Sequence, residues 1–319
     1  MKKGKLKILL AAPRGFCAGV ERAIEVVERS LEIFGAPIYV RHEIVHNKHV
    51  VNRLRQKGVI FVETLDEIPD GGVAVFSAHG VSKAIQAEAE ARPIRIIDAT
   101  CPLVTKVHLE VHRLDREGYD ILLIGHAGHV EVEGTMGQLP PGRIRLVQNP
   151  QEAETVHVER SDHVAYVTQT TLSLDETKDI VKALRRRFPN LLAPAKDDIC
   201  YATQNRQNTI KDMLAQIDLL LVIGSRNSSN SNRLVDVARS HGVTGYLLDE
   251  PSEMDPAWFE GVATVGLTAG ASAPEDLVQA TLNHLRERYH ATVESFVFKE
   301  EQVYFPVPKS LFESAASSE

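Results

Sequence analysis

The chain has 319 residues, 43% of them apolar and 25% charged, with a formal net charge of −7. This is the make-up of an ordinary folded protein with enough chain for two or three domains or one large core. The acidic balance excludes a nucleic-acid binder that relies on a basic surface, so an anionic ligand must be held by local donors.

The first element is Ile8–Ala12 in MKKGKLKILLAAPRG. Basic residues ahead of an apolar run resemble a secretion signal, but the run is too short and Pro13-Arg14 interrupts it, so it reads as a buried strand. A helical stretch, VERAIEVVERSLEIF, follows. β-branched runs come next at Ile38–Arg41, Val73–Ser77, Ile94–Asp98, Ile121–Gly125 and Val164–Thr168. The helical stretch LDETKDIVKALRRRF follows, then runs at Leu219–Gly224 and Val262–Leu267, and the helical PEDLVQATLNHLRERY. Ser173 and Asp175 cap one of these helices, and Ser272 is placed to cap the last, ahead of Pro274-Glu275. Such alternation predicts an α/β fold with mainly parallel sheets covered by helices. No apolar run reaches the roughly 20 residues of a membrane helix, so no membrane contact is expected.

The spacing carries more. Cys17, Cys101 and Cys200 each stand at an expected helix start, and each is followed by two strands ending in polar or Gly-rich loops. A period near 90 residues is too long for a solenoid and suggests three related units around a common centre. Ligands of open α/β sheets lie beyond the carboxyl ends of the strands, where all three cysteines and the loops would meet. Against this stands the plainer possibility that each cysteine is a small buried hydrophobe.

Three cysteines are too few and too odd a number for a disulfide framework, which places the chain in the cytoplasm. Thiols at helix N-termini are acidified and make good metal ligands. Structural zinc wants four ligands, often in CxxC pairs, and no CxxC is present for zinc or for redox exchange. A [4Fe–4S] cluster on three cysteines keeps one iron without a protein thiolate, an open position for substrate. Cluster ligands and core thiols are the two readings left.

His46, His79 and His129 end strands at matching points, where they serve either structure or an anion. SRNSSNSN (225–232), with Ser228, Ser229 and Asn230, can cradle phosphate at a helix start or be an ordinary capped loop. TAGASAPE, with Ser272, has the same character, and no P-loop motif is present. Glu131, two residues after His129, reaches the same side of an extended segment and can move a proton, with Glu133 as competitor. Thr170 is a hydroxyl relay or substrate contact, or else a helix cap.

Taken together, PRGFCAGVERAI, YVRHEIVHN, FSAHGVS, DATCPLVTKVH, GHAGHVEVEGTMGQ, TQTTLS, KDDICYATQNRQ, GSRNSSNSNRL and GLTAGASAPE resemble, in order, the motifs of the 4-hydroxy-3-methylbut-2-enyl diphosphate reductases, the LytB/IspH family. The likeness runs from about residue 8 to about residue 285. It implies three α/β domains in a pseudo-threefold, trefoil-like arrangement: 18–100, 101–196, and 1–17 with 197–285, followed by an arm at 286–319. It implies a [4Fe–4S] cluster on Cys17, Cys101 and Cys200, with the fourth iron open to the substrate hydroxyl. The implied reaction is the last step of the non-mevalonate isoprenoid pathway, in which two one-electron reductions remove that hydroxyl as water. The products are isopentenyl and dimethylallyl diphosphate.

By the same resemblance the diphosphate contacts are His46, His79, His129, Ser228, Ser229, Asn230 and Ser272. Glu131 is the acid, with the bound diphosphate a second proton source, and Thr170 lies near the hydroxyl. Reduced ferredoxin or flavodoxin is the implied donor. Val130 departs from the proline that many members carry between the histidine and the acid. The rivals are another three-cysteine cluster enzyme, a dehydratase or quinolinate synthase-like, and a metal-free module binding a phosphorylated ligand.

Overall fold

The computed structural model describes residues 6–312. The stretches 1–5 and 313–319, parts of the expected third domain and of the arm, lie outside the described residues. β1 (Lys7–Ala12) leads into α1 (Ala18–Phe34). Then come β2 (Ile38–Arg41), α2 (Lys48–Gln56), β3 (Val59–Val62), β4 (Val73–Phe76), α3 (Lys83–Glu90) and β5 (Arg95–Asp98). The middle carries α4 (Pro102–Arg116), β6 (Asp120–Ile124), α5 (Val130–Met136), β7 (Ile144–Val147), α6 (Pro150–Thr155), β8 (Val164–Thr168) and α7 (Leu174–Arg187). The remainder is α8 (Tyr201–Met213), β9 (Leu219–Ile223), α9 (Ser229–Ser240), β10 (Thr244–Leu248), β11 (Thr264–Ala269), α10 (Glu275–Tyr289) and β12 (Thr292–Val297).

The chain divides into two compact units. The first comprises 6–18, His46–Asn52 and Tyr201–Tyr304. Its five-stranded sheet, in the order β10-β9-β11-β1-β12, is parallel throughout. Successive side chains of a strand point to opposite faces, and both faces are covered. Ile8, Leu10, Leu219, Leu221 and Val265 pack with Leu277, Val278, Leu282 and Leu285 of α10. Leu9, Ala11, Leu220 and Val222 pack with Ile210 and Met213 of α8 and Leu234 and Ala238 of α9. Coverage on both sides is why β9 reads as the unbroken apolar run LLLVI. Residues 292–297, within the stretch expected to be an arm, pair with β1 as an edge strand.

The second unit comprises Gly19–Val45, Arg53–Cys200 and 305–312 among the described residues. It holds two parallel sheets, β3-β2-β4-β5 and β7-β6-β8. In the latter, α4 covers one face through Val107, Val111 and Leu114. On the other face α7 contributes Ile180, Ala183 and Leu184. The α/β class with three parallel sheets is thus borne out, and strand ends fall within two residues of the expected runs. Among the described residues no helix is long and apolar enough to cross a membrane.

Two local expectations are corrected. Residues 130–136 are helical, not extended, with His129 as N-cap. Ser272 does not cap α10, whose N-cap position is Pro274 without a side-chain bond. Ser173 does cap α7, accepting from the Glu176 N–H.

Candidate active site

In the second unit, β4 ends at Phe76 and turns at Ser77–Val81. Gly80 has φ +77, and a Cβ there would stand 2.8 Å from Cε1 of the buried His108 and 3.2 Å from Cγ2 of Thr100. Glycine alone fits that corner. The turn presents His79, whose Nδ1 lies 3.2 Å from Ser77 Oγ. The His79 and His129 rings meet edge-on at 6.0 Å. Two imidazoles so placed, in an acidic chain, suit an anion. The carbonyl of Ala78 accepts the Cys101 N–H at 2.9 Å, so one turn orients a candidate histidine and a candidate thiol.

Cys101 is the N-cap of α4, ahead of Pro102, and its sulfur makes no cap bond. Ser, Thr, Asp or Asn would serve the helix better there. Cys200 immediately precedes α8, and its N–H donates to the Thr170 carbonyl at 3.0 Å. Neither cysteine is in a disulfide, and both are half-buried.

His129 accepts the Glu131 N–H on Nδ1 at 3.2 Å, which leaves its ring proton on Nε2. Glu131 is 4% exposed, whereas Glu133 is exposed, so helical geometry separates the pair that alternation does not. Thr170 donates its N–H to Glu131 Oε1 at 2.6 Å and its hydroxyl to Oε2 at 3.0 Å. Burial pushes the Glu131 carboxyl up to about 7, against the Thr170 bonds and with help from the charge of Asp198. A carboxyl that changes state near neutrality is what a general acid needs.

Sequence reasoning missed two residues here. Gln169 accepts the His126 N–H at 3.1 Å, fixing the loop before His129. Asp198 is buried and accepts the Thr168 N–H at 3.0 Å, and burial raises its carboxyl pKa despite Lys106. The signal for Gln169 was its place beside Thr170 in TQTTLS; for Asp198 it was its place as the second aspartate of KDDIC, two residues before a cysteine.

In the first unit, Cys17 sits between β1 and α1, half-buried and outside any disulfide. Its N–H donates to the Ala271 carbonyl at 3.2 Å, and that of Gly15, at φ +65, to Ala269 at 3.1 Å. Arg206, fully buried on α8, donates to the Gly15 carbonyl at 2.6 Å and pairs with Glu301 at 3.1 Å. The Tyr201 hydroxyl accepts the Ala18 N–H at 3.2 Å. Neither Arg206 nor Tyr201 was singled out from the sequence, although both lie in the motif after Cys200.

His46, Ser228 and Ser272 meet in this unit. Ser272 Oγ donates to the His46 carbonyl at 2.9 Å and lies 3.5 Å from Ser228 Oγ. Ser228 caps α9, accepting from Ser231 N–H at 3.3 Å, and half-buried Ser229 begins that helix. Asn227 Nδ2 lies 3.4 Å from His46 Nδ1, an adjacency not foreseen. Ser225 Oγ accepts the Lys48 N–H at 3.1 Å and donates to Asp249 at 2.5 Å, tying the His46 segment to the loop after β9.

Asn230 is 4% exposed, and among the described residues neither Oδ1 nor Nδ2 has a hydrogen-bond partner. An idle buried amide costs about 1–3 kcal/mol, which a bound polar ligand would recover. It is brought close by Gly270, where a Cβ would stand 2.0 Å from Ser231 Oγ and 3.4 Å from Asn230 Nδ2.

The three thiols suit a cluster. Each precedes a helix start, each is half-buried and outside any disulfide, and thiolate is the softest ligand the chain offers. Among the described residues no three His, Cys, Asp or Glu side chains are grouped so as to hold a single ion. A cluster asks for one thiolate per iron and not for three on one metal.

Residues 8–286 match the family model described as LytB protein. A protein of Magnetococcus marinus named 4-hydroxy-3-methylbut-2-enyl diphosphate reductase is 57% identical over 308 residues, covering 97% of this chain and 100% of its own. One from Neisseria meningitidis with the same name is 58% identical, covering 95% of this chain and 94% of its own. Among solved structures, E-1-hydroxy-2-methyl-but-2-enyl-4-diphosphate reductase from Plasmodium falciparum has a TM-score of 0.95 at 38% identity, covering 99% of both chains. A second, (E)-4-hydroxy-3-methyl-but-2-enyl diphosphate reductase, described as the terminal enzyme of the non-mevalonate pathway, has a TM-score of 0.64 at 32% identity, covering 88% of this chain and 99% of its own. With a family model spanning all but the chain's ends and relatives of this identity along its whole length, the chain belongs to the LytB protein family.

Proposed function

We propose that the chain reduces (E)-4-hydroxy-3-methylbut-2-enyl diphosphate to isopentenyl and dimethylallyl diphosphate. The reaction replaces the allylic C–O bond by C–H and consumes two electrons and two protons, with the oxygen leaving as water. The observation that carries this reading is the junction at Thr170. Its N–H and hydroxyl hold the titratable Glu131, and its carbonyl holds the Cys200 N–H. An acid near its pKa and a thiolate segment thus share one residue.

Cys17, Cys101 and Cys200 are the ligands of a [4Fe–4S] cluster with one iron lacking a protein thiolate. Bound there, the cluster supplies electrons singly and a Lewis-acidic iron. The chain's own residues bind, orient and protonate. Glu131 delivers a proton toward the leaving oxygen, Thr170 holds that carboxyl and lies near the substrate hydroxyl, and His129 fixes the first turn of α5. In the first unit His46, Ser228, Ser229, Asn230 and Ser272 are diphosphate contacts, as are His79 and His129 in the second. Hydroxyls, an amide and imidazoles accomplish this without a basic surface. Electrons come from reduced ferredoxin or flavodoxin, and the chain works in the cytoplasm.

Anaerobic purification with iron and sulfide analysis, EPR before and after substrate, and turnover driven by reduced methyl viologen test the reading. About four irons and four sulfides per chain, perturbed by substrate, are expected. A reconstituted chain with no iron and no product would leave the thiols as core residues and the loops as a phosphate-binding module.

A further inference from the structure

Lys106 lies on α4, five residues beyond the N-cap Cys101, about 7.5 Å along the helix axis. An ammonium has three N–H donors, and all three find acceptors on the segment leading to Cys200. They are the carbonyls of Lys196 at 2.6 Å and Asp197 at 2.8 Å, and Asp198 Oδ1 at 3.1 Å. This differs from an ordinary surface pair, which contributes little. The Asp198 side chain is fully buried while that of Lys106 is 34% exposed, and two of the three acceptors are backbone carbonyls.

The other oxygen of Asp198 accepts the N–H of Thr168 at the end of β8. Two residues on, Thr170 accepts the Cys200 N–H and holds Glu131. Starting from Cys101, the path runs through α4, Lys106, residues 196–198, the end of β8 and Thr170 to Cys200. Every link is either covalent or a hydrogen bond of 3.1 Å or less.

We propose that Lys106 is a positioning residue that locks the segment delivering Cys200 onto the helix that starts at Cys101, and so fixes how the two thiols are offered to a shared cofactor. The inference rests on the ligand assignment made above. A neutral side chain at 106 frees two carbonyls and leaves a buried carboxylate without its cation, so the segment opens locally.

The test uses Lys106→Gln and, should that variant fold poorly, Lys106→Met. Hydrogen exchange on metal-free protein reads the lock directly through the Cys200 amide. About ten-fold faster exchange in the peptide spanning 196–200, with other segments unchanged, is expected. On reconstituted protein, iron loss to a chelator quickens several-fold and the EPR line shape changes. Exchange that rises equally everywhere makes Lys106 a general stabiliser and overturns the proposal, as does iron loss within about twofold of wild type. A wild-type chain that takes up no iron overturns the proposed function as well. That case is distinct, because failure of the lock alone leaves wild-type iron intact.

Discussion

The carboxyl of Glu131 is gripped on both oxygens by Thr170, at 2.6 Å by the N–H and at 3.0 Å by the hydroxyl. These bonds favour the carboxylate, yet burial outweighs them and raises the group to about 7. Glu131→Gln keeps an acceptor for the N–H but cannot release a proton. Turnover falls roughly 10²–10³-fold, with substrate still perturbing the cluster EPR. In the unaltered protein kcat declines as pH rises past about 7, and this limb is absent from the variant. Wild-type turnover in the variant removes Glu131 from the mechanism.

The same shift has a sign for stability. The folded chain holds the Glu131 proton up to about 7, whereas the unfolded chain loses it near 4.5. The contribution is therefore fully present below 4.5 and is lost as pH rises through about 7, about 3 kcal/mol in all. Denaturant titrations of the metal-free protein across that window, with and without Glu131→Gln, measure it. A variant with the wild-type slope contradicts the assignment.

Cys101→Ser separates fold from function. Serine caps helices better than cysteine, and Cys101 makes no side-chain cap bond, so the metal-free variant is as stable as the parent or up to about 1 kcal/mol more so. Iron content and activity nevertheless collapse. A variant with an intact cluster and full activity excludes Cys101 as a ligand.

Asn230→Ala removes a buried amide without a hydrogen-bond partner among the described residues, and because relief of its desolvation offsets the lost packing, stability changes by less than about 1 kcal/mol. Substrate loses hydrogen bonds to a charged group, and KM rises roughly 10–100-fold. Unchanged KM places the diphosphate elsewhere.

Gly270→Ala places a methyl 2.0 Å from Ser231 Oγ and 3.1 Å from Ser231 Cβ, at the start of α9. The helix must shift, which costs about 1–3 kcal/mol and raises KM together with a fall in the unfolding midpoint. Wild-type KM with lowered stability makes the close approach a matter of packing alone.

Runs such as LLLVI and DILLI are apolar because both sheet faces are covered, and they are readable as buried strands without any structure. VEVEGTM is a different case. Its valines and glutamates alternate with the period of a strand, yet it folds as α5. The reason is tertiary: His129 caps it, and Gly134 lies against the backbone of Gly80, where a Cβ would stand 3.3 Å from the Gly80 carbonyl oxygen. Short elements follow such contacts over propensity. The cysteines, histidines and serine loops could be picked out because they recur at matching points of a plan repeated about every 90 residues. Lys106 with Asp198 and Arg206 with Glu301 could not, since each pair is joined across more than 90 residues and each member reads locally as an ordinary charge.

β1 lies between β11 and β12, and the N–H groups of Gly15 and Cys17 find their acceptors at Ala269 and Ala271. On a ribosome these partners emerge far apart in time, since a long stretch of sequence separates Cys17 from Ala271. The corner bearing Cys17 has no backbone partners until residues beyond 271 have left the exit tunnel, and β1 gains its second neighbour only with residues 292–297. Cys17 is thus held in a segment that lacks these partners until β11 and the turn after it have been made. If Cys17 holds the proposed cluster, insertion there must wait until β11 has been made, and a chain stalled or cleaved before β11 leaves that thiol without the backbone partners of its corner.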